Sequence, residues 1–175
     1  WGDYSIKDGC LHRVRYTGGK VRKPKGFKVH SNGIRIDFTT SLDSQAISKV
    51  ENYFAQAWNY EYAKRYGSPE FSAKVPESLG HDRVNIRSVK LLEDGNSIFV
   101  EMPDLEPIMQ LHIRMHIKDT DGTDFKTDLF CSPMFPDKPY ITNGQANPRK
   151  NKLSFVSLRV ANQETKKKPD YTGDT

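Results

Sequence analysis

The nine residues Gln110–Lys118, QLHIRMHIK, put Leu111, Ile113, Met115 and Ile117 on one side and His112, Arg114 and His116 on the other. A period of two belongs to a half-buried strand, because successive side chains leave opposite faces of a pleated backbone. The same alternation recurs where Ile34, Ile36 and Phe38 share one face and Arg35 and Asp37 the other. Turn residues separate these runs: Ser31-Asn32-Gly33, Glu93-Asp94-Gly95-Asn96 and Asp121-Gly122. Asn-Gly and Asp-Gly pairs supply the positive φ that tight connections require. The pattern predicts an all-β fold of short antiparallel strands.

Further strands are expected near Phe27–Val29, over Phe54–Trp58, Val84–Leu92, Ser97–Met102 and Phe125–Cys131. Ser41–Tyr53 is expected to hold a short helical turn capped by Ser44, with Ile47 and Val50 on one side. Residues 59–83 break the alternation with Gly67, Pro69, Pro76 and Gly80. A long loop of this kind in a small domain usually carries function or docks on a neighbour. Residues 1–25 read as a leading arm or linker, in which Leu11–Tyr16 could pair with a sheet edge. The sandwich is expected over 26–131, and 132–175 read as a C-terminal extension with a polar tail, in which Leu153–Val160 could add a strand.

Composition narrows the function classes. Hydrophobic residues make up 35% of the 175, enough for one core with much surface, loop and tail around it. No apolar run approaches the ~18 residues of a membrane span. The net charge of +5 is concentrated toward the ends, in Lys20–Lys28, in Arg149–Lys152 and in Lys166–Lys168. Lys and Arg clusters can hold phosphates, but neither an aromatic RNA-binding strand nor a recognition helix accompanies them, so solvated linkers are expected and no nucleic-acid partner. Cys10 and Cys131 are too few for a zinc site, and no CxxC or CxxCH occurs. A bond between them would contribute roughly 4 kcal/mol by loop entropy; two free buried thiols are the alternative.

Two resemblances follow from longer phrases. GIRIDFTTSLD, the hairpin VNIRSVKLLEDGNSIFVEM and LHIRMHIKDTDG resemble the bacterial immunoglobulin-like domains of surface-layer and secreted proteins. That family has a strand ending in F-x-x-x-L-D, here Phe38–Asp43, and a late strand running into D-x-D-G, here Asp119–Gly122. The resemblance implies an immunoglobulin-like β-sandwich, here with a long aromatic insertion and two extensions. A narrower resemblance rests on LHRVRYTGGKVRKPKGFKVHSNGIRI, QAWNYEYAKRYGSPEFS and PDLEPIMQLHIRMHIK. These look like an accessory segment of bacterial proteins that join a glucose/sorbosone-dehydrogenase-like propeller to a cytochrome c domain. It implies an exported parent, periplasmic or extracellular, whose other domains are the partners. The catalytic and haem-binding residues of such proteins have no counterpart here, so a module without catalytic residues or cofactor of its own is expected. Export would also favour joining Cys10 to Cys131.

Other constellations weaken on inspection. His112 and His116 lie four residues apart, roughly 13 Å along a strand, too far to share one metal ion; a stripe facing solvent or a partner is expected. Asp119, Asp121 and Asp124 surround Gly122, but the sixth position from Asp119 is Asp124 rather than Gly and the twelfth is Phe130 rather than Glu, so a tight turn replaces an EF-hand. His30, Cys131 and Met134 are residue types of a copper site, yet no His follows residue 116 to complete the usual order. The aromatic insertion is the best functional candidate: Trp58, Tyr60, Tyr62 and Tyr66 beside Glu61, Lys64 and Arg65. Such rings can pack a sandwich layer, dock a neighbouring domain or stack on a glycan. At least Tyr62 or Tyr66 is expected to be exposed, because Tyr hydroxyls need partners and a sandwich core is narrow.

Overall fold

The computed structural model describes residues 13–61 and 66–141. Its strands are β1 (Pro24–His30), β2 (Gly33–Phe38), β3 (Tyr53–Tyr60), β4 (Glu70–Phe71), β5 (Asp82–Arg83), β6 (Ser88–Leu91), β7 (Ser97–Glu101), β8 (Gln110–Lys118) and β9 (Asp124–Cys131). One helical turn, α1 (Ser44–Ile47), lies between β2 and β3. The first sheet runs β1-β2-β7-β6; the second runs β4-β3-β8-β9, with β5 also paired to β3. All named pairings are antiparallel. The expected all-β sandwich is what forms. Without β4 and β5, the order β1-β2-β7-β6 over β3-β8-β9 is that of a constant-type immunoglobulin sandwich.

The alternation read from the sequence selects the buried faces. Ile34, Ile36 and Phe38 of β2 and Ile98 and Val100 of β7 meet Leu111, Ile113, Met115 and Ile117 of β8 across the core. Ala55 and Ala57 of β3 face the same interior, and their small side chains leave room for the Leu and Ile opposite. Leu105 and Ile108, in the loop before β8, close one part of it.

Local corrections follow from hydrogen bonding. Asp43, rather than Ser44, caps α1: its Oδ1 accepts from the Ala46 N–H at 2.7 Å. Ser44 is the first helical residue, so its hydroxyl cannot fill that role. Tyr53 Oη donates to the Ile47 carbonyl at 2.9 Å, tying α1 to the start of β3. Only Ser88–Leu91 of the expected Val84–Leu92 strand pairs in the first sheet, because the chain is still crossing from β5 at Val84, whose N–H donates to the Ala55 carbonyl. Residues 13–16 are exposed and form no strand; among the described residues Tyr16 Oη donates only to the nearby Gly19 carbonyl, and Leu11 and His12 lie outside them. The possible strand at 153–160 lies outside the described residues.

The two ends of the described chain are engaged with the sandwich. The F-x-x-x-L-D and D-x-D-G phrases meet: Asp43 N–H donates to the Lys118 carbonyl and Thr120 N–H to the Ser41 carbonyl. Asp119 sits beneath this junction, fully buried. Its carboxylate accepts from Arg22 Nε at 2.6 Å and from the N–H groups of Asp121 and Thr123 at 3.1 and 2.9 Å. Lys20 pairs with both Asp119 and Asp121. Part of the basic N-terminal run is therefore a latch. At the other end, residues 137–140 lie beside β1, with Asp137 bonded to Val29 and Ser31 and Tyr140 to Asn32.

The latch makes a prediction about pH. Burial alone would raise the Asp119 pKa, but Arg22, the Thr123 N–H and Lys20 outweigh it and hold the carboxyl at about 2, below its ordinary 3.8. A depressed folded-state pKa contributes stability that is present above the unfolded value and lost as pH falls through the folded one. Thermal melts between pH 5 and pH 2 should therefore fall more steeply for the native chain than for Asp119→Asn. Equal slopes would show that the latch carries no such linkage.

Candidate functional site

The insertion is a folded flap at the edge of the second sheet rather than an open loop. β4 pairs Asn59 with Phe71 and Tyr60 with Glu70, while β5 pairs Gln56 with Arg83 and Ala57 with Asp82. Asp82 Oδ2 gathers the Ser72 hydroxyl at 2.8 Å and the Lys74 N–H at 2.9 Å. The hydroxyl of Ser72 accepts in turn from the Val75 N–H at 2.9 Å. Burial would raise the Asp82 pKa, but these donors bring it below the ordinary carboxylate value. Glu77 adopts a φ of 70° inside the flap, a left-handed conformation uncommon outside glycine.

The expected site residues divide. Trp58 is buried, with its ring stacked on His81 at 4.2 Å and 14°, and His81 Nε2 reaches Glu70. Tyr60 is 44% exposed and Tyr66 is 99% exposed. Tyr62 and Arg65 lie outside the described residues. Trp58 and Tyr60 share the outer face of β3, opposite the Ala55–Ala57 face that meets the core. Val75 and Leu79 add exposed apolar area to the flap.

A second constellation occupies the outer face of β3, β8 and β9. Register places Gln56, His112 and Phe130 in one row and Phe54, Arg114 and Asp128 in the next. Gln56 Nε2 donates to His112 Nδ1 at 3.2 Å, and His112 Nε2 donates to Asp128 Oδ1 at 2.6 Å. Arg114 Nε donates to the same oxygen at 3.0 Å. The hydrogen bond from His112, followed by Arg114 against the opposing effect of burial, lowers the Asp128 pKa. Phe130 lies on the His112 imidazole at 4.3 Å and 1°. His112 is only 4% exposed, so the expected outward stripe is corrected: Phe130 covers its first member, while Arg114 and His116 remain exposed. Alternation gave the correct face for His112, but its cover comes from cross-strand register, which alternation does not contain.

The remaining candidates resolve into packing. His30 Nδ1 donates to the Lys138 carbonyl at 2.9 Å, and its ring meets Tyr140 edge-on. It belongs to the contact between β1 and the C-terminal segment. Cys131 ends β9 as a buried thiol whose pKa burial pushes up to about 12. Its expected partner, Cys10, lies outside the described residues. Among the described residues no group of three or more His, Cys, Asp or Glu is placed to hold a metal. No helix among them is long and apolar enough to cross a membrane. A groove of about 370 Å³ lies on the first sheet between Arg35, the Lys90–Asp94 segment, Tyr140 and Ile141. Compared with protein-family models, with curated proteins and with solved structures, the chain has no match.

Proposed function

We propose that this chain is a non-catalytic accessory module of an exported, multidomain redox protein, of the sugar-dehydrogenase-like and cytochrome c-linked kind it resembles. Its flap is the docking surface for a neighbouring domain. The observation that carries the reading is Tyr66: its ring is fully offered to solvent beside a flap folded around Ser72 and Asp82. Tyr60, Val75 and Leu79 contribute further exposed apolar area to the same edge. A large amphipathic ring on an ordered support loses little entropy when an interface closes over it. A glycan is the second reading, since an exposed tyrosine ring also suits a pyranose.

Hydrogen exchange tests the proposal, comparing the isolated chain with the same segment in its parent polypeptide. Docking predicts slower exchange over residues 66–80 in the parent, and loss of that protection in Tyr66→Ala. The substitution should change the stability of the isolated chain by less than about 0.5 kcal/mol, because the ring is exposed. Unchanged flap exchange in the parent, combined with oligosaccharide binding that Tyr66→Ala abolishes, would favour the glycan reading. Sugar-dependent dye reduction by the isolated chain would overturn its non-catalytic assignment.

A further inference from the structure

We infer that the outer face of β8 and β9 is a binding platform for an acidic sugar, with Phe130 stacking on a hexuronate ring and Arg114 holding its carboxylate. One face of the Phe130 ring is laid flat on buried His112, yet the side chain remains 58% exposed. The opposite face is therefore open. The imidazole beneath cannot swing away easily, because Gln56 and Asp128 hold its two nitrogens. This is a preorganised aromatic surface.

Arg114 supplies the charged element. Its Nε is spent on Asp128, while among the described residues its two terminal nitrogens have no hydrogen-bond partner. Asp128 thus orients the guanidinium and leaves its outer donors for a planar carboxylate, which an arginine fork fits in two-point fashion. Arg114 is the diagonal neighbour of Phe130 across the β8–β9 pair. Such positions lie about 7 Å apart, roughly the distance from a sugar ring stacked on one to an acid group held by the other. Asp128 accepts a hydrogen bond from His112 and is paired with Arg114, and Lys118 pairs with Asp124. Lys126 adds a further cation, so basic groups outnumber acids on this face of the two strands.

The surroundings favour a sugar over a protein. Gln110 and Ser132 flank the ring with polar groups, and no apolar patch extends from it on β8. A ring bordered by the polar outward residues of β8 and by Ser132 matches a small ring with hydroxyls, whereas a stable protein interface needs a broader desolvated centre. This surface is distinct from the flap and does not depend on the docking proposal.

Affinity electrophoresis of the chain through gels containing polygalacturonate, alginate or hyaluronate provides the test, with neutral hydroxyethyl cellulose and dextran sulfate as references. At least one uronate polymer should retard the native chain more than either reference. Phe130→Ala should weaken that interaction by about tenfold. Arg114→Gln should weaken it by about tenfold or more, and Arg114→Lys should restore only part of it. Phe130→Trp should retain binding. Unchanged circular dichroism will show that the variants fold. The proposal is overturned if no uronate polymer retards the chain, or if Phe130→Ala binds as tightly as the native protein. It is also overturned if Arg114→Lys is indistinguishable from native, which would leave only bulk charge. Protection of residues 112–114 and 128–130 by another domain, without sugar, would assign the face to a protein instead.

Discussion

Gly33→Ala is expected to lower the unfolding free energy by roughly 3–5 kcal/mol, combining backbone strain with overpacking. Gly33 opens β2 with φ +153°. A Cβ there would stand 2.2 Å from the Val100 carbonyl oxygen, 2.8 Å from Phe99 Cζ and 3.1 Å from Glu101 Cα. Two of those neighbours are backbone of β7, which pairs directly with β2 and cannot rotate aside. Phe99 is itself packed beneath Tyr140 at 4.8 Å. Relief would therefore require opening the centre of the first sheet. Gly122 provides the control: its φ is +81°, but a Cβ would meet nothing within 4 Å. Gly122→Ala should cost only about 1 kcal/mol, the strain alone. Urea melts of both variants would decide, and equal losses would show that β2 and β7 separate more easily than this geometry allows.

Phe38→Ala should cost about 3–5 kcal/mol through lost burial and the cavity left behind. The ring is fully buried at the end of β2 and meets Phe125 edge-on at 6.4 Å and 72°. It therefore joins the two sheets close to the Asp119 junction. Phe38→Leu should recover much of the loss because it restores volume. Phe130→Ala, the same chemical change on the outer face, should cost far less stability. Calorimetric melts that gave Phe38→Ala and Phe130→Ala equal losses would contradict the assigned core.

What could be read from the sequence was whatever has a period. β2 and β8 were legible because one face of each is buried along its whole length, and Gly33 and Gly122 marked their turns. β4 and β5 were not, because two residues cannot display alternation; they exist through pairing with β3. Trp58 has the right spacing for an outward aromatic row, but His81, more than twenty residues later, covers it. The Phe130–His112 stack was hidden for the same reason, since it depends on which residue of β9 falls opposite which residue of β8. Asp119 looked like an ordinary turn residue because its partner, Arg22, comes from a stretch that reads as a linker. Tyr62 and Arg65 remain expectations.

The contact between β1 and residues 137–140 gives the domain a direction under load. His30 and Asp137 run parallel, and the bonds of Asp137, Lys138 and Tyr140 to residues 29–32 lie side by side. Tension drawing the N-terminal side back past Pro24 and the C-terminal side onward past Tyr140 pulls these segments along their shared axis. The bonds then share the force together instead of opening one after another, so a module placed between moving neighbours would transmit a pull through its seam while its core stays closed.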